Sequence, residues 1–184
     1  MRVLDLGCGE GNPPIRANLS PNDKVIGVDI NEQSLAIARQ RFPTRTFIRS
    51  RGERLPFPDN HFDRVVSGIA LPYMNIARTL AEVHRVLVIQ GSVFFSLHPL
   101  RFTLGELKQA FPNPVPTLYR CWVLANGAVF HVTGLNWKES FQTERAMRIA
   151  LKRSDFCSIV FNRTGGRLIV EAIKAVTGHT DSKV

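Results

Sequence analysis

The sequence predicts an α/β fold built around an open, doubly wound, mostly parallel sheet. Three observations carry that prediction. Apolar, β-branched runs alternate with segments of helical period along the first hundred or so residues. The first run, Met1 to Leu6, breaks into a loop with glycine at every second position, Gly7, Gly9 and Gly11. The second run, Lys24 to Val28, ends on an acid, Asp29, about twenty residues past that loop. Open parallel sheets bind ligands at the carboxyl ends of their strands, so loop and acid belong to one edge.

The loop reads as a small-molecule cradle. Glycine lets the backbone turn sharply and lets a ligand lie directly against it. The spacing departs from the dinucleotide fingerprint, whose third glycine would fall on Asn12, and no Gly-Lys-Ser/Thr follows to make a phosphate loop. Asp5 precedes the glycines and no basic residue lies among them, which suits a ligand carrying positive charge better than a polyphosphate. The competing reading is a tight strand-to-helix turn with no ligand.

In order, Pro13 and Pro14 suit the first turn of a short helix that ends near Ser20-Pro21-Asn22-Asp23. Asp29 closes the second strand, where an acceptor-only carboxylate can take both ribose hydroxyls of a nucleoside; the alternative is a simple helix-start residue. Asn31 reads as the N-cap of a helix carrying Leu35, Ile37 and Ala38, ended by Pro43. Thr46 to Ile48 is a third strand, and Phe62 to Ser67 a fourth. The rigid turn between them, Leu55 to Asn60, places Leu55 and Phe57 in a ligand wall or the core beside it. Ile76, Leu80, Val83 and Leu87 mark a helix over 76–86, with Glu82, His84 and Arg85 on its wetter side. A turn over Val88 to Ser92 leads to the fifth strand, Val93 to Leu97, which ends in His98-Pro99.

Residues 101–138 read as an insertion. Thr103 to Phe111 is a helix stopped by Pro112 and Pro114. Asn126-Gly127 between two apolar runs, 118–125 and 128–132, predicts a β-hairpin. Alternation would put Tyr119, Cys121, Val123, Phe130 and Val132 on one face, and Arg120, Trp122, His131 and Thr133 on the other. An amphipathic helix over 139–153, with Phe141, Ala146, Ile149 and Ala150 inward, precedes two strands, 157–162 and 167–175, joined by Thr164-Gly165-Gly166.

Val3-Leu4-Asp5-Leu6-Gly7-Cys8-Gly9-Glu10-Gly11 resembles motif I of the class I S-adenosylmethionine-dependent methyltransferases. Val25 to Asn31 resembles the end of that family's second strand, and Glu53 to Asp63 the segment before its fourth. The nearest group is the ubiquinone/menaquinone-biosynthesis (methyltransferase type 11) group. The likeness covers 1–98 well and 139–175 loosely. It implies a Rossmann-like, seven-stranded sheet with an antiparallel last strand, S-adenosyl-L-methionine as cofactor, and methyl transfer to a small-molecule acceptor. It divides a single 1–184 domain into a cofactor-binding half (1–98), an insertion acting as a substrate lid, and a closing helix with its strand pair.

By the same resemblance the cofactor touches Asp5, Gly7, Gly9, Gly11, Asp29, Ile30, Arg51, Gly52 and Ser67, with Gly68 beside Ser67. Arg51-Gly52 stands where the family presents an acid or amide and then a small residue to the adenine; Arg51 only donates, so it stacks on the ring or points to solvent. Leu71-Pro72-Tyr73 departs from the Asn/Asp-Pro-Pro-Tyr signature of amino-methylating enzymes, and Tyr73 reads as a wall of the acceptor pocket. A sulfonium methyl is already an activated electrophile, so positioning dominates, and a general base helps with a hydroxyl or acidic carbon. His98 and His131 are the base candidates. The insertion is open to two other readings, a structural hairpin or a dimer contact. The family has residues ahead of motif I that close over the cofactor, which leaves a fragment or an open pocket as the expectations here.

The 184 residues suit one domain, and their 44% hydrophobic and 21% charged content is ordinary. No apolar run approaches a membrane span, no signal-peptide pattern appears, and Cys8, Cys121 and Cys157 lack metal-ligand spacing. Together they predict a cytoplasmic protein with buried thiols and no metal. A formal charge of +9 admits nucleic acid, an anionic substrate or a membrane surface, or simply a solvated basic surface; the Lys and Arg are scattered. The alternatives to a small-molecule methyltransferase are an RNA methyltransferase, from this charge, and a non-catalytic binding protein with a decayed cofactor site, from Arg51. The densest basic group, Arg45, Arg49, Arg51 and Arg54, borders the loop.

Overall fold

The computed structural model describes residues 1–12, 17–136, 139–164 and 167–176. Its strands are β1 (Arg2–Leu6), β2 (Lys24–Asp29), β3 (Thr46–Arg49), β4 (Phe62–Ser67), β5 (Leu87–Leu97), β6 (Phe156–Thr164) and β7 (Arg167–Lys174). Its helices are α1 (Glu32–Arg41), α2 (Ile76–Val86), α3 (Leu100–Ala110), α4 (Pro114–Thr133) and α5 (Glu144–Arg153). The strands form one seven-stranded sheet in the order β3-β2-β1-β4-β5-β7-β6. Neighbours from β3 to β5 pair in parallel, and β7 runs antiparallel to both β5 and β6. From β1 the chain builds outward through β2 and β3, then returns to add β4 on the other side. The carboxyl ends of β1 and β4 therefore flank the point where strand order reverses.

Both faces of the sheet's centre are covered, so β1, β4 and the second half of β5 are apolar on both sides. Leu4 and Leu6 of β1 join the main core with Ile76, Leu80, Val83 and Val86 of α2 and Met147 and Leu151 of α5. Val3 points the other way, toward Ala17, Val66, Phe94 and Ile169. The α1 residues Leu35 and Ala38 pack with Cys8 and Phe47. Asparagine starts two helices as a cap should: Asn31 accepts from the N–H groups of Gln33 and Ser34, and Asn75 from that of Arg78.

The hairpin expected over 118–132 is a helix. α4 runs unbroken through Asn126-Gly127, because Val123, Gly127 and Phe130 share one buried face at helical spacing. A Cβ built on Gly127 would fall 2.2 Å from the Phe141 ring, so glycine here admits a close-packed neighbour and makes no turn. The strand alternation fails accordingly: Val123 and Phe130 are buried, while Tyr119, Cys121 and Val132 are exposed. Helix signals bracket the segment, with Pro114 in its first turn and Gly134 in the left-handed conformation at its end.

Other boundaries moved less. The turn expected over 88–92 is absorbed into β5 as an irregularity, with Gln90 at φ +62° and the register with β4 shifting between Phe62 and Arg64. α5 starts at Glu144, not Glu139, because the Thr143 hydroxyl caps it; residues 139–142 are buried without being helical. The helix expected from Pro13 to near Ser20 begins on 13–16, outside the described residues, and 18–20 are not helical; the turn at 165–166 also lies outside the described residues. Cys8 is buried, but Cys121 and Cys157 are exposed, against the expectation of buried thiols. His84 is half-buried rather than a surface residue; its ring meets Phe156 edge-on and burial holds its pKa below the usual histidine value. Leu55 and Phe57 belong to the core.

Candidate active site

The glycine loop is tied to β2. Val28 O accepts from the N–H groups of Gly7 and Cys8 at 2.7 and 3.0 Å. The Gly9 N–H donates to Asp29 Oδ2 at 2.8 Å, and the Asn31 N–H to Asp29 Oδ1 at 2.8 Å. Asp29 is thereby held in one orientation, and each carboxylate oxygen keeps acceptor capacity for a ligand. Gly7 has φ +70°, and a Cβ on it would lie 2.1 Å from the Ala70 Cβ, so this position accepts no side chain. Gly11 is a packing glycine, facing Phe42 and Phe47.

Beside the loop opens a crevice of about 280 Å³, walled by Gly7, Asp29, Ile30, Arg51, Gly52 and Tyr73 among others. Five residues of the expected cofactor set thus share one cavity with Tyr73. Asp5, Gly9, Gly11 and Ser67 do not line it. Ser67 is fully buried and its hydroxyl donates to Leu6 O at 2.8 Å, fastening the ends of β1 and β4. Gly52 is pressed against Met74, whose sulfur would lie 2.7 Å from an added Cβ. Arg45 and Arg49 brace the rim, donating to Gly11 O and Ile30 O at 3.3 and 3.2 Å.

Asp5 is buried at the centre of the sheet, and its Oδ1 has no hydrogen-bond partner among the described residues. Burial pushes its carboxyl up to about 7, against the pull of Arg45 and helped by the charge of Asp29.

A second group of polar residues lies close enough to Tyr73 to act on its phenol. Arg120 Nη1 sits 2.7 Å from Glu139 Oε1 and 3.3 Å from Glu106 Oε2. The Tyr119 hydroxyl donates to Glu139 Oε2. His98 Nε2 stands 3.7 Å from Glu106 Oε2. Burial lowers the His98 pKa and the Glu106 and Glu139 charges partly restore it. Burial and the same two carboxylates raise the Tyr73 phenol. His131 instead meets the Thr143 hydroxyl at 2.8 Å through Nδ1.

Glu106, Glu139 and Asn136 were not singled out from the sequence. Asn136 is buried; its Oδ1 accepts from Ile76 N–H at 2.8 Å and its Nδ2 donates to Met74 O at 2.9 Å, fixing the segment that carries Tyr73. Only the insertion's helical reading could have pointed to Glu106, since it faces Arg120 across the α3–α4 pair.

The family model described as a methyltransferase domain matches residues 4–95, half the chain and the part that builds loop, acid and crevice. The chain belongs to the methyltransferase-domain family. A demethylmenaquinone methyltransferase of Chlorobaculum tepidum is 32% identical over 160 residues, covering 84% of this chain and 65% of that protein. One from Symbiobacterium thermophilum is 42% identical over 94 residues, covering 46% of this chain and 38% of that protein. The methyltransferase chain thus spans less than two thirds of either relative. A SAM-dependent methyltransferase structure from Methanosarcina mazei superposes with a TM-score of 0.66 at 20% identity, covering 95% of this chain and 92% of that one, a likeness of fold.

The family implies S-adenosyl-L-methionine, and the residues present fit it. The orphaned Asp5 oxygen suits a cationic ligand, the oriented Asp29 carboxylate suits a ribose, and Gly9, over which a Cβ would meet nothing within 4 Å, leaves the main chain of the loop open. No helix among the described residues is long and apolar enough to cross a membrane, and those residues hold no cluster able to bind a metal ion.

Proposed function

We propose that this methyltransferase domain transfers a methyl group from S-adenosyl-L-methionine to a small-molecule acceptor. The observation that carries the reading is the Asp29 carboxylate, oriented by two backbone N–H groups at the wall of a glycine-floored crevice. When bound, the cofactor supplies a methyl group activated by its sulfonium. Asp29 accepts from the ribose hydroxyls, Gly9 leaves the main chain beside it open, and Arg51 covers the adenine side. Ile30 and Met74 supply apolar walls, and Tyr73 separates the crevice from the acceptor side.

His98 acts as general base on that side. Its lowered pKa keeps the imidazole neutral near pH 7, as a base must be, and Glu106 stands 3.7 Å away to stabilise the imidazolium it becomes. The relatives named demethylmenaquinone methyltransferases support a hydroquinone-type ring as the acceptor class. Loss of a hydroxyl proton makes such a ring nucleophilic at carbon. Isothermal titration of the full chain with S-adenosylmethionine tests the reading; saturable binding is expected, and absence of binding rejects it.

A further inference from the structure

We propose that a basic cavity beside the site is a binding site for a phosphate ester. The cavity, about 490 Å³, opens where α3 and α5 begin, α4 ends and β6 and β7 meet. It is lined by Arg101, Arg145, Arg163 and Arg167, with His131 and Glu144. Arg163 pairs with Glu144 at 2.9 Å. Arg101, Arg145 and Arg167 have no carboxylate partner among the described residues, whereas Arg39, Arg41, Arg85 and Arg120 elsewhere in the chain each have one. Like charges gathered round one concavity repel, and an anion placed among them removes that repulsion.

The arrangement favours phosphate over carboxylate. A guanidinium offers a planar fork that grips two oxygens at once. One carboxylate satisfies a single fork and brings one negative charge; a phosphate monoester presents three oxygens carrying about two charges to three forks without a carboxylate partner. α3 adds to the match: its N-cap, Pro99, makes no side-chain cap, and among the described residues only the N–H of Phe102, of the helix's first three, is taken, by Pro99 O at 3.0 Å. The cavity also exceeds a lone phosphate, which leaves space for the esterified group.

It is joined to the acceptor side through the backbone. Gln142, a wall residue, accepts from the His98 N–H through Oε1 at 2.8 Å, and the Gln142 N–H donates to His98 O at 2.8 Å. An occupant is therefore held one residue from His98. The proposal goes beyond the methyl-transfer reading and does not depend on it, since the cavity shares no wall residue with the crevice.

Inorganic phosphate titrated into the full chain, followed calorimetrically and by backbone amide shifts, tests it. Saturable binding is expected, with shifts centred on Arg101, Arg145 and Arg167. The triple variant Arg101→Gln, Arg145→Gln, Arg167→Gln removes exposed, unpaired side chains and is expected to weaken binding roughly tenfold or more. A control with Lys24→Gln, Arg78→Gln and Lys152→Gln removes the same charge elsewhere and is expected to bind as the parent does. Cosedimentation with vesicles containing phosphatidic acid, a monoester headgroup, against phosphatidylcholine alone, separates the sources. Capture lost only in the arginine variant assigns a lipid headgroup, and phosphate binding without vesicle capture assigns a soluble ester. The proposal is overturned if neither probe binds saturably, if both triple variants lose binding alike, or if a short RNA binds far more tightly and does so undiminished in the arginine variant.

Discussion

Gly9 N–H and Asp29 Oδ2 lie 2.8 Å apart, so the residue proposed to take the ribose also holds the loop. Asp29→Ala removes both the ribose acceptor and the loop anchor. Calorimetry is expected to show S-adenosylmethionine binding about 10–100-fold weaker, the range for a hydrogen bond to a charged group. Asp29→Asn keeps an oxygen for one backbone donor and is expected to fall between.

Asp5 predicts an unusual stability profile. Its folded-state pKa, about 7, lies above the ordinary 3.8, so between those values the folded chain holds a proton that the unfolded chain has lost. This residue's contribution is present at acid pH and is lost as pH rises toward 7. The melting temperature of the parent is expected to drop between pH 5 and 8 more steeply than that of Asp5→Asn. A cationic ligand favours the ionised carboxylate, so cofactor binding is expected to strengthen across the same interval.

The His98–Glu106 pair gives a kinetic and a spectroscopic readout. The Glu106 charge raises the His98 pKa, so Glu106→Gln is expected to lower it further in an NMR titration. His98→Ala is expected to reduce kcat about 100-fold or more, as for loss of a general base, while cofactor affinity stays unchanged.

Gly127 separates the helix from the hairpin. Helix propensity alone favours Ala over Gly by about 1 kcal/mol. The Phe141 ring forbids the extra methyl, so Gly127→Ala is expected to destabilise by about 1–3 kcal/mol in urea unfolding. Adding Phe141→Leu is expected to recover part of that loss. Independent, additive effects would place Phe141 away from Gly127.

The amino-terminal half was legible because its signals are local. Asn31 is a cap within its own turn, and the apolar run of β4 matches Phe62–Ser67 as expected. The insertion was misread because Asn-Gly is a strong local turn signal, whereas what decides Gly127 is Phe141, fourteen positions away. Pro114 and Gly134 carried the competing helix signal, but at the segment's ends and not at its middle.

By itself the sequence determined the strand–glycine loop–strand–acid unit, and with it the sheet edge to which loop and acid belong. These depend on residues close along the chain, whose backbone conformations and apolar periods are intrinsic. Only the tertiary structure decided that 114–133 is one helix, that Glu106, Arg120 and Glu139 gather near Tyr73, and that arginines from α3, α5, β6 and β7 surround a single cavity. Those meetings join residues remote in sequence, and contacts of that kind leave no period or spacing to read.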